Sequence, residues 1–270
     1  MRREIFDAAL RSVIPESAFL NESNIRVRGR PNIAEVQGEG YKAPLESGTT
    51  VLAFHYSQGI MLAGDRQTSG GFSIMSQEAI KIYRISSHSA LMFAGMVGDG
   101  QSIVNNLCRV DSDFINRLGV PLSVDGLANY LARFVRIHYN YGIFIQAWNI
   151  IAGINIDPPE FKIYSIEPTG CKMLHDFIAT GSGGDRAENE LEKFRGKIKA
   201  RTLGAEESLE LAVRAIYMAG KKDMGTSDVR LALPTVAVIL MDGFNFIDPK
   251  KIEEIRGKLI DQERKEGNVE

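Results

Sequence analysis

At Glu46-Ser47-Gly48-Thr49 the sequence changes character, and that change constrains the fold more than any other stretch. Before it lies a polar, charged segment with loosely spaced apolar residues and several glycines near its end. After it Thr50, Leu52, Phe54 and Tyr56 alternate with Val51, Ala53 and His55, the period of a β-strand. A leader of that composition buries little by itself, whereas the run from Thr49 needs cover, so the folded body is expected to begin at Thr49. The leader reads either as a disordered tail or as a segment removed on maturation, and its composition does not separate the two.

Downstream, Ser57-Gln58-Gly59 supplies a turn into a second strand over Ile60–Gly64, and a polar loop, Asp65-Arg66-Gln67-Thr68-Ser69-Gly70-Gly71, comes next. Ala79–Ile85 reads as a strand carrying Lys81, and Ser89–Gly95 as a fourth. Four short strands so close together predict an antiparallel meander. Apolar residues then recur at helical spacing from Ile103 to Leu118, stopped by Gly119-Val120-Pro121. A second helix runs through Leu127, Leu131 and Val135, with Ser123 as its N-cap. Strand texture returns at 143–145, 148–153, 162–166 and 173–178. Helices are expected near 186–198 and 207–219, then a strand over Thr235–Met241 closed by Asp242-Gly243, then a charged helix from Lys250. Strands, helices, strands, helices in that order predict one α+β domain, two sheets between two helical layers.

Composition narrows the function. With 44% hydrophobic and 24% charged residues and a net charge of −2, the chain is an ordinary globular one with no basic excess, which argues against nucleic acid or an anionic membrane as partner. Cys108 and Cys171 lie far apart without ligand spacing, and His55, His88, His138 and His175 do not cluster, so no metal site is expected. No phosphate-loop lysine follows a glycine run and the dinucleotide spacing is missing, so no cofactor is expected either. Met1-Arg2-Arg3 resembles the start of an export signal, but Asp7, Arg11 and Glu16 interrupt every apolar run after it. The expectation is a cytoplasmic protein.

The chemistry turns on the bond between Gly48 and Thr49. A threonine made into a chain N-terminus carries a nucleophilic hydroxyl and a base, its own α-amine, on one residue. The amine's reference pKa of about 7.7–8.0 suits a general base at neutral pH. While Gly48 remains attached that nitrogen is an amide, so the leader would act as a covalent off-switch. A second cation favours the neutral amine, and Lys81 sits among apolar neighbours where an unpaired ammonium is costly. Asp65, closing a strand, is the candidate partner that keeps it charged. Gly95-Met96-Val97-Gly98-Asp99-Gly100, between strand and helix, presents backbone N–H groups that an oxyanion hole needs. Singly, each also reads as something ordinary: a solvated lysine, a turn aspartate, a tight turn.

Together, Gly48-Thr49-Thr50 opening a strand, Gly64-Asp65-Arg66 ending the next, strand Lys81, Ala94-Gly95 with Gly98-Asp99-Gly100, Gly181-Ser182-Gly183, and Asp223 with Thr226 before a late strand make the sequence similar to the β subunits of the 20S proteasome. The long leader resembles the bacterial type. The resemblance implies a four-layer αββα N-terminal-nucleophile hydrolase: a propeptide, 1–48, removed autocatalytically, and a catalytic domain, 49–270. It implies Thr49 as nucleophile, Lys81 tuned by Asp65, the Gly95 N–H in the oxyanion hole, and Ser182, Asp223 and Thr226 holding the free amine. Thr226 stands where many relatives have serine, and Gln67 where relatives have arginine, which leaves the salt-bridge pattern there open. Thr68, Ser69, Ala79, Tyr83, Phe93 and Val97 fall where relatives form the pocket for the residue before the cut, and mostly apolar walls imply a hydrophobic preference; plain core packing is the competing reading for Ala79 and Val97. The implied partners are α subunits and other β subunits in stacked seven-membered rings, an ATP-driven unfoldase, and unfolded protein substrates. A small-molecule amidase of the same fold, a catalytically silent ring subunit and a simpler two-ring protease without α subunits are the alternatives.

Overall fold

The structure, a computed structural model, describes residues 48–70 and 73–265; the leader up to residue 47 lies outside the described residues. Twelve strands and six helices are described, and the strands form two five-stranded antiparallel sheets and one small hairpin. In the first sheet β1 (Thr50–Tyr56) pairs on one side with β2 (Gly59–Gly64) and on the other with β10 (Phe177–Gly181), and β11 (Thr235–Leu240) and β12 (Gly243–Phe246) complete it, in the order β10-β1-β2-β11-β12. The second sheet runs β5 (Ile82–Arg84), β6 (Ser89–Gly95), β7 (Ala147–Ile156), β8 (Pro159–Ile166), β9 (Lys172–His175), neighbours in sequence throughout. The hairpin is β3 (Thr68–Gly70) with β4 (Ser73–Ser76).

Why two sheets stack is visible in β1, whose residues are all buried on both faces. Leu52 and Phe54 point into a core shared with α3 (Gly184–Glu192), α4 (Arg195–Lys199), α5 (Ala205–Gly220) and α6 (Pro249–Lys265). Val51 and Ala53 point the other way, into an inter-sheet core with Met92, Ile150 and Ala237. On the far face of the second sheet, Leu91, Ile151 and Ile166 meet Ile103 and Leu107 of α1 (Val97–Leu118) and Leu127 and Leu131 of α2 (Val124–Asn140). Each of these side chains larger than alanine contributes about 1.5–3 kcal/mol on burial. The result is the expected four-layer order of helices, sheet, sheet, helices. Among the described residues no helix is long and apolar enough to cross a membrane.

Local details depart from the sequence reading in five places. The first four expected strands are not one meander: β1 and β2 belong to one sheet, β5 and β6 to the other. Lys81 lies just before the short β5 rather than mid-strand, and residues 143–145 form no strand. The expected single helix over 186–198 is two, broken between α3 and α4. The polar loop after Asp65 hosts the β3–β4 hairpin. The predicted stop of α1 and the predicted N-cap of α2 both hold: Gly119 takes φ 74°, a left-handed cap, and the Ser123 hydroxyl accepts the Gly126 N–H at 3.1 Å.

Candidate active site

Thr49 stands at the entry of β1, 4% exposed. Alternation along the strand sends its side chain to the face of Val51 and Ala53, into the gap between the sheets. Three strand ends converge there. A Cβ added to Gly181, at the end of β10 with φ 105°, would lie 1.9 Å from the Thr49 carbonyl oxygen and 3.4 Å from Ala94 Cβ of β6. Only glycine lets β10 enter that wedge. Gly95, next in β6, has φ 123°, and the turn into α1 is pinned by Met96 N–H donating to Gln146 O at 2.7 Å and by Asp99 Oδ2 accepting from Gln146 N–H at 2.7 Å.

On the other side of Thr49, Gly48 is held against Gly225. A Cβ on Gly48 would fall 2.0 Å from Gly225 Cα, and one on Gly225 2.6 Å from Ser182 Oγ. The Gly48 carbonyl oxygen accepts from Lys81 Nζ at 3.4 Å, and the same ammonium donates to Asp65 Oδ1 at 2.6 Å. Asp65 is fully buried and saturated: Oδ1 also accepts Thr50 N–H at 2.8 Å, and Oδ2 accepts the backbone N–H of Gln67 at 2.9 Å and of Ser227 at 3.1 Å. Burial pushes the Lys81 ammonium's pKa below its ordinary value, against the opposing pull of Asp65 and, more weakly, Asp223.

Behind the Thr49 nitrogen runs a directed chain of hydrogen bonds. Thr49 N–H donates to Ser182 Oγ at 3.3 Å. The Ser182 hydroxyl lies 2.6 Å from Asp223 Oδ2 and 3.4 Å from the Thr49 carbonyl oxygen; its one proton goes to the nearer, charged acceptor. Thr226 likewise donates to Asp223 Oδ2 at 2.5 Å, so the Thr50 hydroxyl, 2.5 Å from Thr226 Oγ1, donates to it. The Asp223 loop is tied to the Asp65 loop by Gln67 Nε2, which donates to Met224 O at 2.8 Å. This neutral bond occupies the position where the sequence reading left a salt bridge open.

Of the sequence-predicted residues, Thr49, Asp65, Lys81, Ser182, Asp223 and Thr226 are gathered at the Gly48–Thr49 peptide, with Gly95 one residue beyond Ala94. Tyr83 and Phe93 are stacked, centroids 5.5 Å apart, and both pack on the core beneath α1 and α2. Thr68 and Ala79 are half-buried, Ser69 lies in β3, and Val97 opens α1. Two participants escaped the sequence reading as site residues, Thr50 and Ser227. Adjacency was their only signal, since each neighbours a residue already singled out.

Residues 45–233 match the family model described as Proteasome subunit. The chain belongs to the proteasome subunit family. It is 30% identical over 225 residues to "Proteasome subunit beta 2" of Thermomonospora curvata, covering 80% of this chain and 78% of that protein. It is 31% identical over 215 residues to "Proteasome subunit beta" of Methanosarcina mazei, covering 78% and 96%. To "Proteasome subunit beta" of Streptomyces griseus it is 29% identical over 242 residues, covering 87% and 83%. Bacterial and archaeal relatives thus stand side by side. The two antiparallel sheets between helical layers are the α+β sandwich of proteasome subunits, and the chain is a proteasome-type peptidase of the β kind.

Proposed function

We propose that the chain is a threonine endopeptidase whose nucleophile is Thr49, freed when the Gly48–Thr49 bond is cut, and that it works as the β subunit of a 20S core particle. The observation that carries this reading is the setting of the Gly48–Thr49 peptide: its carbonyl oxygen on Lys81 Nζ and its nitrogen on Ser182 Oγ. In the uncut chain the Thr49 nitrogen is an amide and takes no proton, so the neutral form of Lys81, reached at lower pH than in an ordinary lysine, receives the proton of the Thr49 hydroxyl as Oγ attacks the Gly48 carbonyl carbon. The oxyanion is met by the Gly95 N–H. The carbon–nitrogen bond breaks, its nitrogen takes a proton, and the resulting Thr49 ester is hydrolysed by water, releasing residues 1–48.

The freed amine keeps its place on Ser182 and becomes the base for later turnovers. A substrate carbonyl then occupies the position of Gly48, an ester forms on Thr49 Oγ, the leaving chain departs with a proton on its new amine, and water cleaves the ester. Thr68, Ser69, Ala79, Tyr83, Phe93 and Val97 form the pocket for the residue before the cut; the Tyr83–Phe93 stack supports an apolar preference. The working form is a cytoplasmic particle in which β subunits and α subunits form stacked seven-membered rings fed with unfolded protein by an ATP-driven unfoldase.

The deciding experiment co-expresses the chain with its α partner and reads the N-terminus of the purified particle by mass spectrometry. The expected mature chain begins at Thr49, while Thr49→Ala keeps Gly48 attached and hydrolyses no peptide. A leader retained by the wild type, or a Thr49→Ala particle that still sheds it at Gly48 and still cuts peptides, overturns the mechanism.

A further inference from the structure

Asp223 acts on the Thr49 nitrogen through Ser182, yet it stands on a stretch of chain with no regular structure. Residues 221–234, between α5 and β11, form neither helix nor strand. Bonds within the stretch give it shape: Asp223 Oδ1 accepts the Gly225 N–H at 3.2 Å, and Asp223 O accepts the Thr226 N–H at 3.2 Å. Its place against the nucleophile depends on bonds to other elements. On the near side the Asp223 N–H donates to Ala219 O at the end of α5, at 3.2 Å. On the far side Ser227 N–H donates to Asp65 Oδ2 at 3.1 Å, and Ser227 Oγ accepts the Arg66 N–H at 3.2 Å. Between these anchors the Met224 side chain is 84% exposed and gives the loop little packing. There, one peptide beyond Asp223, the Gln67 side chain donates to Met224 O at 2.8 Å.

Gln67 is 3% exposed, and its own backbone N–H donates to Asp65 Oδ2 at 2.9 Å, which fixes where its side chain sets out. A carbonyl oxygen only accepts, so the amide must present its NH2 to Met224. One neutral side chain thus joins the carboxylate that holds Lys81 to the loop whose carboxylate holds Ser182. The Ser182 hydroxyl has two acceptors in reach, Asp223 Oδ2 at 2.6 Å and Thr49 O at 3.4 Å. With Met224 released, the Asp223 carboxylate can leave its 2.6 Å contact. The Ser182 proton then turns to other acceptors, among them the lone pair of the mature Thr49 amine, and that pair is the one that must take the proton of Oγ.

Resting on the reading of Thr49 as nucleophile, we infer that Gln67 is a positioning residue of the reaction: by holding Met224 O it keeps Asp223 on Ser182, and so keeps the Thr49 amine available as base.

The test follows peptide hydrolysis by the assembled particle, with rates taken per subunit whose N-terminus is Thr49 by mass spectrometry. Gln67→Met removes the donor at every pH and is expected to lower kcat about tenfold while KM stays within about twofold. Added to Ser182→Ala it should cost less than about twofold more, because the chain through which it acts is already cut. Gln67→Glu gives a signature in pH. Burial and the carboxylates of Asp65 and Asp223 raise the pKa of the introduced carboxyl; of the cations nearby, Lys81 is engaged by Asp65 at 2.6 Å and Arg66 Nη2 donates to Glu78 O at 3.3 Å. Protonated, that carboxyl donates to Met224 O; ionised, it sets oxygen against oxygen. The kcat of Gln67→Glu relative to wild type should therefore fall about tenfold as pH rises from about 6 to about 9. A carboxylate acting by charge alone would favour the protonated amine and make that ratio rise instead. A wild-type kcat for Gln67→Met, a loss confined to KM, a full tenfold further loss in Ser182→Ala, or a Gln67→Glu ratio that is flat or rises with pH overturns the inference. Hydrolysis that survives Thr49→Ala with Gln67 intact puts the fault with the assignment of Thr49 and not with Gln67.

Discussion

The Gly48–Thr49 peptide is held by contacts too close to tolerate one added methyl group. A Cβ on Gly48 would stand 2.0 Å from Gly225 Cα, backbone against backbone, with no flexible side chain to yield. Gly48→Ala is therefore expected to slow appearance of the Thr49 N-terminus by about 100-fold, the cost of roughly an ångström's displacement of reacting groups, measured by mass spectrometry against time. Lys81 offers a second test at the same scale. Its lowered pKa means that the neutral amine is reached at lower pH than for a free lysine; processing should rise with pH and level off above that pKa, and be lost as pH falls through it. Lys81→Arg keeps the charge but cannot give up its proton. It should cost about 100-fold or more and abolish the rising limb, and a variant processed at the wild-type rate would remove Lys81 from the role of base.

At the scale of elements, what the sequence made legible was the strand and helix content, and what it hid was the partition of strands between sheets. Period-two alternation identifies β1, β2 and β6, but it does not say which strand lies beside which. The clue lay in β1 itself, where Val51 and Ala53 are as apolar as Leu52 and Phe54, so both faces needed cover and a one-sided meander did not suit it. β3, β4 and β12 went unread because glycines and polar residues fill or flank them and their pairing is set by tertiary context. The site was legible where one residue type is chemically demanded, as at Thr49, Asp65 and Lys81. It was not legible where backbone N–H groups or a neighbouring hydroxyl act, as at Ser227 and Thr50. One prediction belongs to the junction of β6 and α1: a Cβ on Gly100 would fall 2.1 Å from the Phe93 ring. Gly100→Ala should displace that ring from its stack on Tyr83, cost about 1–3 kcal/mol in denaturant unfolding, and alter the rate ratio among peptides differing only in the residue before the cut.

For the whole molecule, His55 sets the acid limit. It is 2% exposed, burial and Arg201 hold its pKa at about 4 against 6.5 unfolded, and its Nδ1 has no hydrogen-bond partner among the described residues. The unfolded chain takes up the proton first, so the stability is fully present above pH 6.5 and is lost as pH falls toward 4, by about 3 kcal/mol. Thermal unfolding of the subunit across that window should show the decline, and His55→Leu should flatten it; an unchanged slope would assign the acid sensitivity to other groups.

The backbone contact at Gly48 has a consequence for how such a protease diversifies. On the proposed reading, the first bond cut follows a residue without a side chain, and that cut draws nothing from the pocket proposed to discriminate among later substrates. The same reading expects substitutions that remodel Ala79, Tyr83 or Phe93 to change which peptides are cut while leaving the rate at which the Thr49 N-terminus appears unchanged.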